Sequence, residues 1–145
     1  MYKYMGGSNM ETRIQKAVEN HSKGYNCAQA VVCTYCDLFG MKEEDAFRLS
    51  EAFGAGMGNM NGPCGAVSGL YMLAGLKKSS GNLENGMTKS KTYKHVNELG
   101  KEFIEMNKTM ICRELKGLDG TGMKRSCPGC IEDAAKLVEK YLLDD

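Results

Sequence analysis

Seven cysteines in a chain of 145 residues are the side chains best able to carry out chemistry. Four of them, Cys27, Cys64, Cys112 and Cys127, fall where the sequence predicts that helices begin. A helix start presents unpaired N–H groups and about half a positive charge. Because this field stabilises thiolates, we expect lowered pKa values for these four cysteines. A lowered pKa suits both a nucleophilic redox thiol and a thiolate metal ligand.

Each of the four helix starts has its own local signal. Asn26 can cap the helix of the first cysteine, and Pro63 indicates a first helical position just before the second. Thr109 can cap the short helix that holds the third, and the fourth directly precedes Pro128. If the four starts converge, they form one pocket that suits several thiolates or an anionic cluster.

Two C-x-x-C motifs are present. Cys127 and Cys130 enclose Pro-Gly just before a predicted helix, and this spacing suits a redox dithiol whose first thiol is exposed and whose second resolves. The same spacing forms half of a zinc or iron–sulfur ligand set. Cys33 and Cys36 lie within a predicted helix, so we interpret them as core residues. The βαβ context of a thioredoxin is lacking.

The histidines and the glycine-rich segment give only weak evidence for a functional site. His21 and His95 belong to no metal-binding pattern, and for both a surface or packing role is favoured. The glycine-rich segment 54–62 is not followed by Gly-Lys-Ser/Thr and has no strand before it, so it is neither a P-loop nor a dinucleotide-binding turn. We interpret it as a loop that brings backbone close to Cys64.

The elements that must position these residues are helices. Helical spacing of apolar residues, helix caps and the scarcity of strand-like alternation predict an all-α, compact bundle of about six helices. We expect one domain over residues 1–145, with residues 1–9 as a flexible or vector-derived tail. The predicted helices cover residues 10–21, 27–39, 42–53, 63–76, 87–106 and 128–143, with a short helical turn at 110–116. The second should be central, because it is apolar nearly all round.

Composition excludes several classes of function. A net charge of +1 offers no field for nucleic acid or an anionic membrane, so neither is expected as a partner. No apolar run is long enough to cross a bilayer, and the N-terminal sequence lacks the apolar core of a signal peptide. We therefore expect a cytoplasmic protein, whose cysteines stay reduced unless they bind metal or perform redox work.

Residues 64–69 read CGAVSG and match a CGAxxG motif. Together with GYNCAQA at 24–30, CREL at 112–115 and Cys127, this motif resembles the redox-active family that is defined by it and by four characteristic cysteines. By position, the resemblance implies that those four are Cys27, Cys64, Cys112 and Cys127. It also implies redox activity with an undefined substrate. A helical domain related to this family is found with haem cytochromes, and this relation would favour electron transfer through an iron–sulfur centre. The chain itself has no C-x-x-C-H haem attachment site, because Ile131 follows Cys130 where the histidine would be.

Three functions remain open from the sequence. In a thiol redox protein, a thiol-dependent oxidoreductase for example, Cys64 would attack, Cys27, Cys112 or Cys127 would resolve, and Cys130 would exchange further. In a metal or iron–sulfur protein, Cys27, Cys64, Cys112 and Cys127 would be ligands, with Cys130 as an alternative. In a structural module, the cysteines would only pack. Partners would be an unknown redox protein and, through the glycine-rich helix 63–76, a second copy of the chain.

Overall fold

The computed structural model describes residues 11–143, and within them the regular secondary structure is helical. Seven α-helices follow one another in this part of the chain, and six of them are eight residues or longer, in agreement with the predicted all-α bundle. They are α1 (Ile14–Ser22), α2 (Cys27–Tyr35), α3 (Glu43–Ser50), α4 (Gly65–Lys78), α5 (Lys89–Asn107), α6 (Cys112–Leu115) and α7 (Cys127–Tyr141). The tail predicted at residues 1–9 lies outside the described residues.

Helix α2 is the centre of the bundle. Every residue from Cys27 to Tyr35 is buried, and the most extensive contacts of α2 are with α4. A 3₁₀ turn, Cys36–Phe39, continues α2 until Gly40 ends it in the left-handed conformation with φ 81°. The prediction of a central helix that stops at Gly40 is therefore confirmed. No described helix combines the length and the apolar character that a membrane span requires.

Two glycines set the distance between α2 and α4. A Cβ placed at Gly69 would lie 3.0 Å from the carbonyl oxygen of Ala28 and 3.1 Å from Cβ of Val31. A Cβ placed at Gly65 would lie 3.0 Å from the backbone nitrogen of Ala28. The close approach predicted for these glycines is present, and it occurs within one chain.

The substitution Gly69→Ala should therefore destabilise the protein by about 1–3 kcal/mol, because overpacking forces α2 and α4 apart. Gly75→Ala, on the same helix, is the matched control, since a Cβ there has no neighbour within 4 Å. It should stabilise the helix by up to about 1 kcal/mol. Urea unfolding of both variants measures the difference, and equal midpoints would contradict the close-packing argument.

Candidate functional site

Five cysteines line one cavity of about 180 Å³. Four come from the starts of α2, α4, α6 and α7, which converge as the sequence argument required. The fifth lies in the first turn of α7. The cysteines are Cys27, Cys64, Cys112, Cys127 and Cys130.

The start of α2 is fixed by a reciprocal cap. The side chain of Asn26 accepts a hydrogen bond from the backbone N–H of Gln29 at 2.8 Å, and the Gln29 side chain accepts one from the N–H of Asn26 at 3.0 Å. Asn26 also donates to the carbonyl oxygen of Glu51 at 2.8 Å. Such a capping box satisfies donors that a helix start leaves unpaired. The predicted cap is thus confirmed, and it holds Cys27 as the first residue of α2.

A short two-stranded contact joins the second and third cysteines. The N–H of Cys64 donates to the carbonyl oxygen of Met110 at 2.7 Å, and the N–H of Cys112 donates to that of Gly62 at 2.9 Å. These bonds form an isolated antiparallel bridge between Pro63 and Ile111. The prediction that Pro63 opens the helix is wrong, because Pro63 belongs to this bridge and α4 begins at Gly65 with Cys64 as its N-cap.

The start of α7 is capped by Ser126, whose hydroxyl accepts a hydrogen bond from the N–H of Gly129 at 3.1 Å. Cys127 is the first helical residue, and Pro128 fits the first turn because its missing N–H needs no partner there. Arg125 lies over the same turn and forms an ion pair with the buried Asp133 at 3.0 Å. The ion pair of Arg125 therefore stabilises the turn that carries both cysteines of the C-x-x-C motif.

The glycine-rich segment before α4 forms another part of the wall. Gly56 has a positive φ of 56°, and a Cβ there would lie 2.4 Å from Cβ and 3.2 Å from Sγ of Cys112. Gly65, the first residue of α4, is restricted less severely, since a Cβ there would lie 3.2 Å from Cβ of Cys27. The sequence prediction that this loop lets backbone crowd the cysteine site is confirmed at Gly56.

Hydrogen bonds connect four of the five thiols of the cavity in pairs. The thiol of Cys27 is in hydrogen-bond contact with both Cys127 and Cys64. Cys64 in turn contacts Cys130 as well as Cys27. The order Cys127, Cys27, Cys64, Cys130 is called the sulfur row below. Cys127 and Cys130, although they share one C-x-x-C motif, thus have different hydrogen-bond partners.

Two members of the sulfur row have lowered pKa values. The pKa of Cys64 is far below its ordinary value because its sulfur accepts hydrogen bonds from Cys130 and Cys27 and from the backbone N–H groups of Ala66 and Val67. Contact with Cys27 and the positive charge of Lys116 lower the pKa of Cys127 to about 6, against the opposing effect of burial. Both thiols are therefore suited to act as thiolates near neutral pH.

The expectation of a lowered pKa is wrong for Cys27 and Cys112. The single S–H of Cys27 is shared between the sulfur atoms of Cys127 and Cys64, and this hydrogen bonding together with burial raises the pKa of Cys27. Burial also raises the pKa of Cys112 and outweighs the favourable charge of Lys116. Cys130 has a raised pKa because it donates to Cys64 and is buried. Desolvation and thiol–thiol hydrogen bonds therefore decide between the cysteines more than helix position does.

Three basic side chains that the sequence did not assign to a site also line the cavity. They are His21, Lys116 and Arg125. Lys116 follows Cys112 by one helical turn, a spacing that could have revealed it. His21 precedes α2 across a glycine turn and carries no comparable signal, and its expected surface or packing role stays a prediction. His95, the other histidine, does not line this cavity.

Cys33 and Cys36 lie elsewhere. Both are buried and line a separate, more polar cavity of about 420 Å³ with Arg13, Asp37 and Glu43. Burial raises the pKa of Cys33 to about 12 and that of Cys36 to about 11. These two thiols are therefore protonated and unreactive at neutral pH, in keeping with the packing role predicted for them.

The donor set of the five-cysteine cavity is the kind that zinc and iron–sulfur clusters prefer. Between residues 11 and 143, however, no group of three or more Cys, His, Asp or Glu side chains is positioned to hold a metal ion. The metal-ligand role predicted for these cysteines stays a prediction.

Comparison with known proteins supports the resemblance seen in the sequence. Residues 25–141 match the family described as "Putative redox-active protein (C_GCAxxG_C_C)". No match was found among curated proteins or among solved structures. The matched range covers most of the chain and contains all five cysteines of the cavity. The chain therefore belongs to the C_GCAxxG_C_C family.

Proposed function

We propose that this protein is a thiol–disulfide oxidoreductase that reduces small-molecule disulfides through Cys127 and Cys27. The observation that carries the proposal is the arrangement of these two residues. Cys127 is the one cavity cysteine that is partly exposed, and its thiol contacts the buried Cys27. An accessible thiolate beside a protonated thiol is the arrangement that a nucleophile and its resolving partner need.

The reaction has two steps. The thiolate of Cys127 attacks one sulfur of a substrate disulfide, so that a mixed disulfide forms and the first substrate thiolate leaves. Cys27 then attacks the Cys127 sulfur, gives up its proton, and releases the second substrate thiolate as a bond forms between the two cysteines. Overall, two cysteine thiols are oxidised, and one substrate disulfide is reduced to two thiols.

This assignment differs from the sequence hypothesis that Cys64 attacks. Cys64 has the lower pKa, but only 5% of its surface is exposed and it lies deeper in the sulfur row. A thiolate reacts with an external disulfide only when the disulfide can reach it. Accessibility therefore favours Cys127 as the first nucleophile and leaves Cys64 for exchange inside the protein.

Mass spectrometry of the reduced protein tests the proposal. One equivalent of hydroxyethyl disulfide should remove two hydrogen atoms per chain, and in Cys64→Ser, where inward exchange is blocked, digestion should show Cys27 joined to Cys127. Dithiothreitol should restore the original mass. Cys36→Ser serves as the control and should react like the parent, because Cys36 lies in the other cavity. An unchanged mass would contradict the proposal and favour the structural-module alternative.

Metal or iron–sulfur binding is the second candidate, and the observation in its favour is that five cysteines line one cavity. It ranks second because the described side chains are not grouped at coordination spacing. Anaerobic purification followed by absorption spectroscopy and metal analysis tests it. Stoichiometric metal, or visible absorbance that is lost in Cys64→Ser, would support this candidate. A colourless, metal-free protein with the same helix content would exclude it.

A further inference from the structure

The sulfur row contains two more contacting thiols than the proposed reaction uses. Cys64 lines the same cavity as Cys27 and Cys130 and shares a hydrogen bond with each of them. Cys130 is 2% exposed and Cys64 is 5% exposed, so neither can readily react with an external molecule. Their contacts instead connect them to the surface through Cys27 and Cys127.

We propose that the protein stores four electrons, because a disulfide formed between Cys127 and Cys27 passes inward along the sulfur row to join Cys64 to Cys130. This inference rests on the proposed function and extends it. It turns a two-electron exchange protein into one that can reduce two molecules of a small disulfide before it must be reduced again.

The inward transfer needs two exchanges along existing contacts. First, the thiolate of Cys64 attacks the sulfur of Cys27, so that the bond from Cys27 to Cys127 breaks and Cys127 leaves as a thiolate. Because the pKa of Cys127 is about 6, it is a good leaving group. Attack at Cys27 is favoured because Cys64 shares a hydrogen bond with Cys27, whereas its interaction with Cys127 is through charge.

In the second exchange Cys130 attacks the sulfur of Cys64. The bond from Cys64 to Cys27 breaks, and Cys27 leaves as a thiolate that takes the proton released by Cys130. No electrons are gained or lost in either exchange. Cys27 and Cys127 are again reduced, and a second substrate disulfide can oxidise them and become two more thiols.

Close backbone packing and ion pairs hold the helix starts that carry the cysteines of this transfer. Gly65 lets the start of α4 approach that of α2, since a Cβ there would lie 3.2 Å from Cβ of Cys27. Arg125 braces the first turn of α7 by its ion pairs with Asp133 and Glu132, each at 3.0 Å. These contacts fix the first turns of α4 and α7, the helices at whose starts Cys64 and Cys130 lie.

Oxidation of the intact protein by excess hydroxyethyl disulfide, followed by alkylation and mass spectrometry, tests the inference. The parent protein should lose four hydrogen atoms, and digestion should show two disulfides, Cys27 to Cys127 and Cys64 to Cys130. Cys64→Ser and Cys130→Ser should each lose only two. The double variant Cys33→Ser, Cys36→Ser should still lose four, because its cysteines lie in the other cavity.

The outcomes separate the two proposals. A loss of two hydrogen atoms from the parent would overturn the four-electron inference and leave the proposed function intact, whereas no loss would overturn both. A loss of four with the second disulfide between Cys33 and Cys36, or involving Cys112, would also overturn the inference. Circular dichroism of each serine variant checks folding. If Cys64→Ser does not fold, Cys130→Ser and the parent's own disulfide map still decide the question.

Discussion

Replacing Cys127 by serine is expected to slow the first reaction of the native protein with hydroxyethyl disulfide by about a hundredfold, because the remaining thiols are either inaccessible or protonated. Cys27, Cys64, Cys112 and Cys130 are at most 8% exposed. Serine keeps the size of the side chain and its place beside Ser126, which caps α7, so the helix itself should persist.

The measurement is the rate at which intact protein mass shifts by one mixed disulfide, at pH 7 and with a neutral reagent so that no charge effect enters. Cys33→Ser is the matched control, since it also removes one thiol but in the other cavity, and it should react at the parent's rate. A Cys127→Ser protein that reacts within twofold of the parent would show that another thiol, with Cys64 the first suspect, is the nucleophile.

The sequence predicted the individual cysteine positions well because helix starts have strong local signals. Asn26 and its partner Gln29 form the predicted cap, and Cys112 and Cys127 lie at helix starts as expected, but the cap predicted at Thr109 is wrong, because the N-cap of α6 is Ile111. The convergence of these starts could only be assumed, since it depends on contacts between residues far apart in the chain. The bridge between Pro63 and Ile111 is such a contact, and the local signal of Pro63 predicts a helix start in its place.

The pKa order within the site could not be predicted from the sequence at all. Four cysteines at helix starts have the same local signal, yet the pKa falls at Cys64 and Cys127 and rises at Cys27 and Cys112. What separates them is which thiol donates to which, and how deeply each is buried. The sequence also assigned the two cysteines of the C-x-x-C motif to each other, because spacing along the chain hides the contacts that Cys27 and Cys64 make across helices.

Replacing Cys27 by alanine should change how the reaction rate of Cys127 depends on pH. The variant should react more slowly than the parent at low pH and faster at high pH. Contact with Cys27 is the largest cause of the lowered pKa of Cys127, so without it the pKa should rise from about 6 toward the ordinary thiol value of about 8.5. Burial and the nearby Cys64 raise the pKa of Cys127, and they offset the lowering effects of Lys116 and His21, so the pKa in Cys27→Ala should not stay below that value.

The sign of the effect on rate depends on pH because two factors compete. At pH 6 the smaller thiolate fraction should make Cys27→Ala react about tenfold more slowly than the parent, even after the greater nucleophilicity of a thiolate with a higher pKa is included. At pH 9.5 both proteins are mostly thiolate, so the variant should react faster, by up to about tenfold. The variant's mixed disulfide should also persist, since its resolving thiol is gone.

Cys27→Ser is the control that separates hydrogen bonding from resolution. Its hydroxyl can still donate to the Cys127 thiolate, so its pH profile should stay close to the parent's, yet it cannot form a disulfide and its mixed disulfide should persist as in Cys27→Ala. Alkylation rates of Cys127 between pH 5 and 10, with the site confirmed by peptide mass, provide the test. Parallel profiles for the parent and Cys27→Ala would show that the hydrogen bond from Cys27 does not set the pKa of Cys127, and the field of α7 together with Lys116 would then have to account for its reactivity.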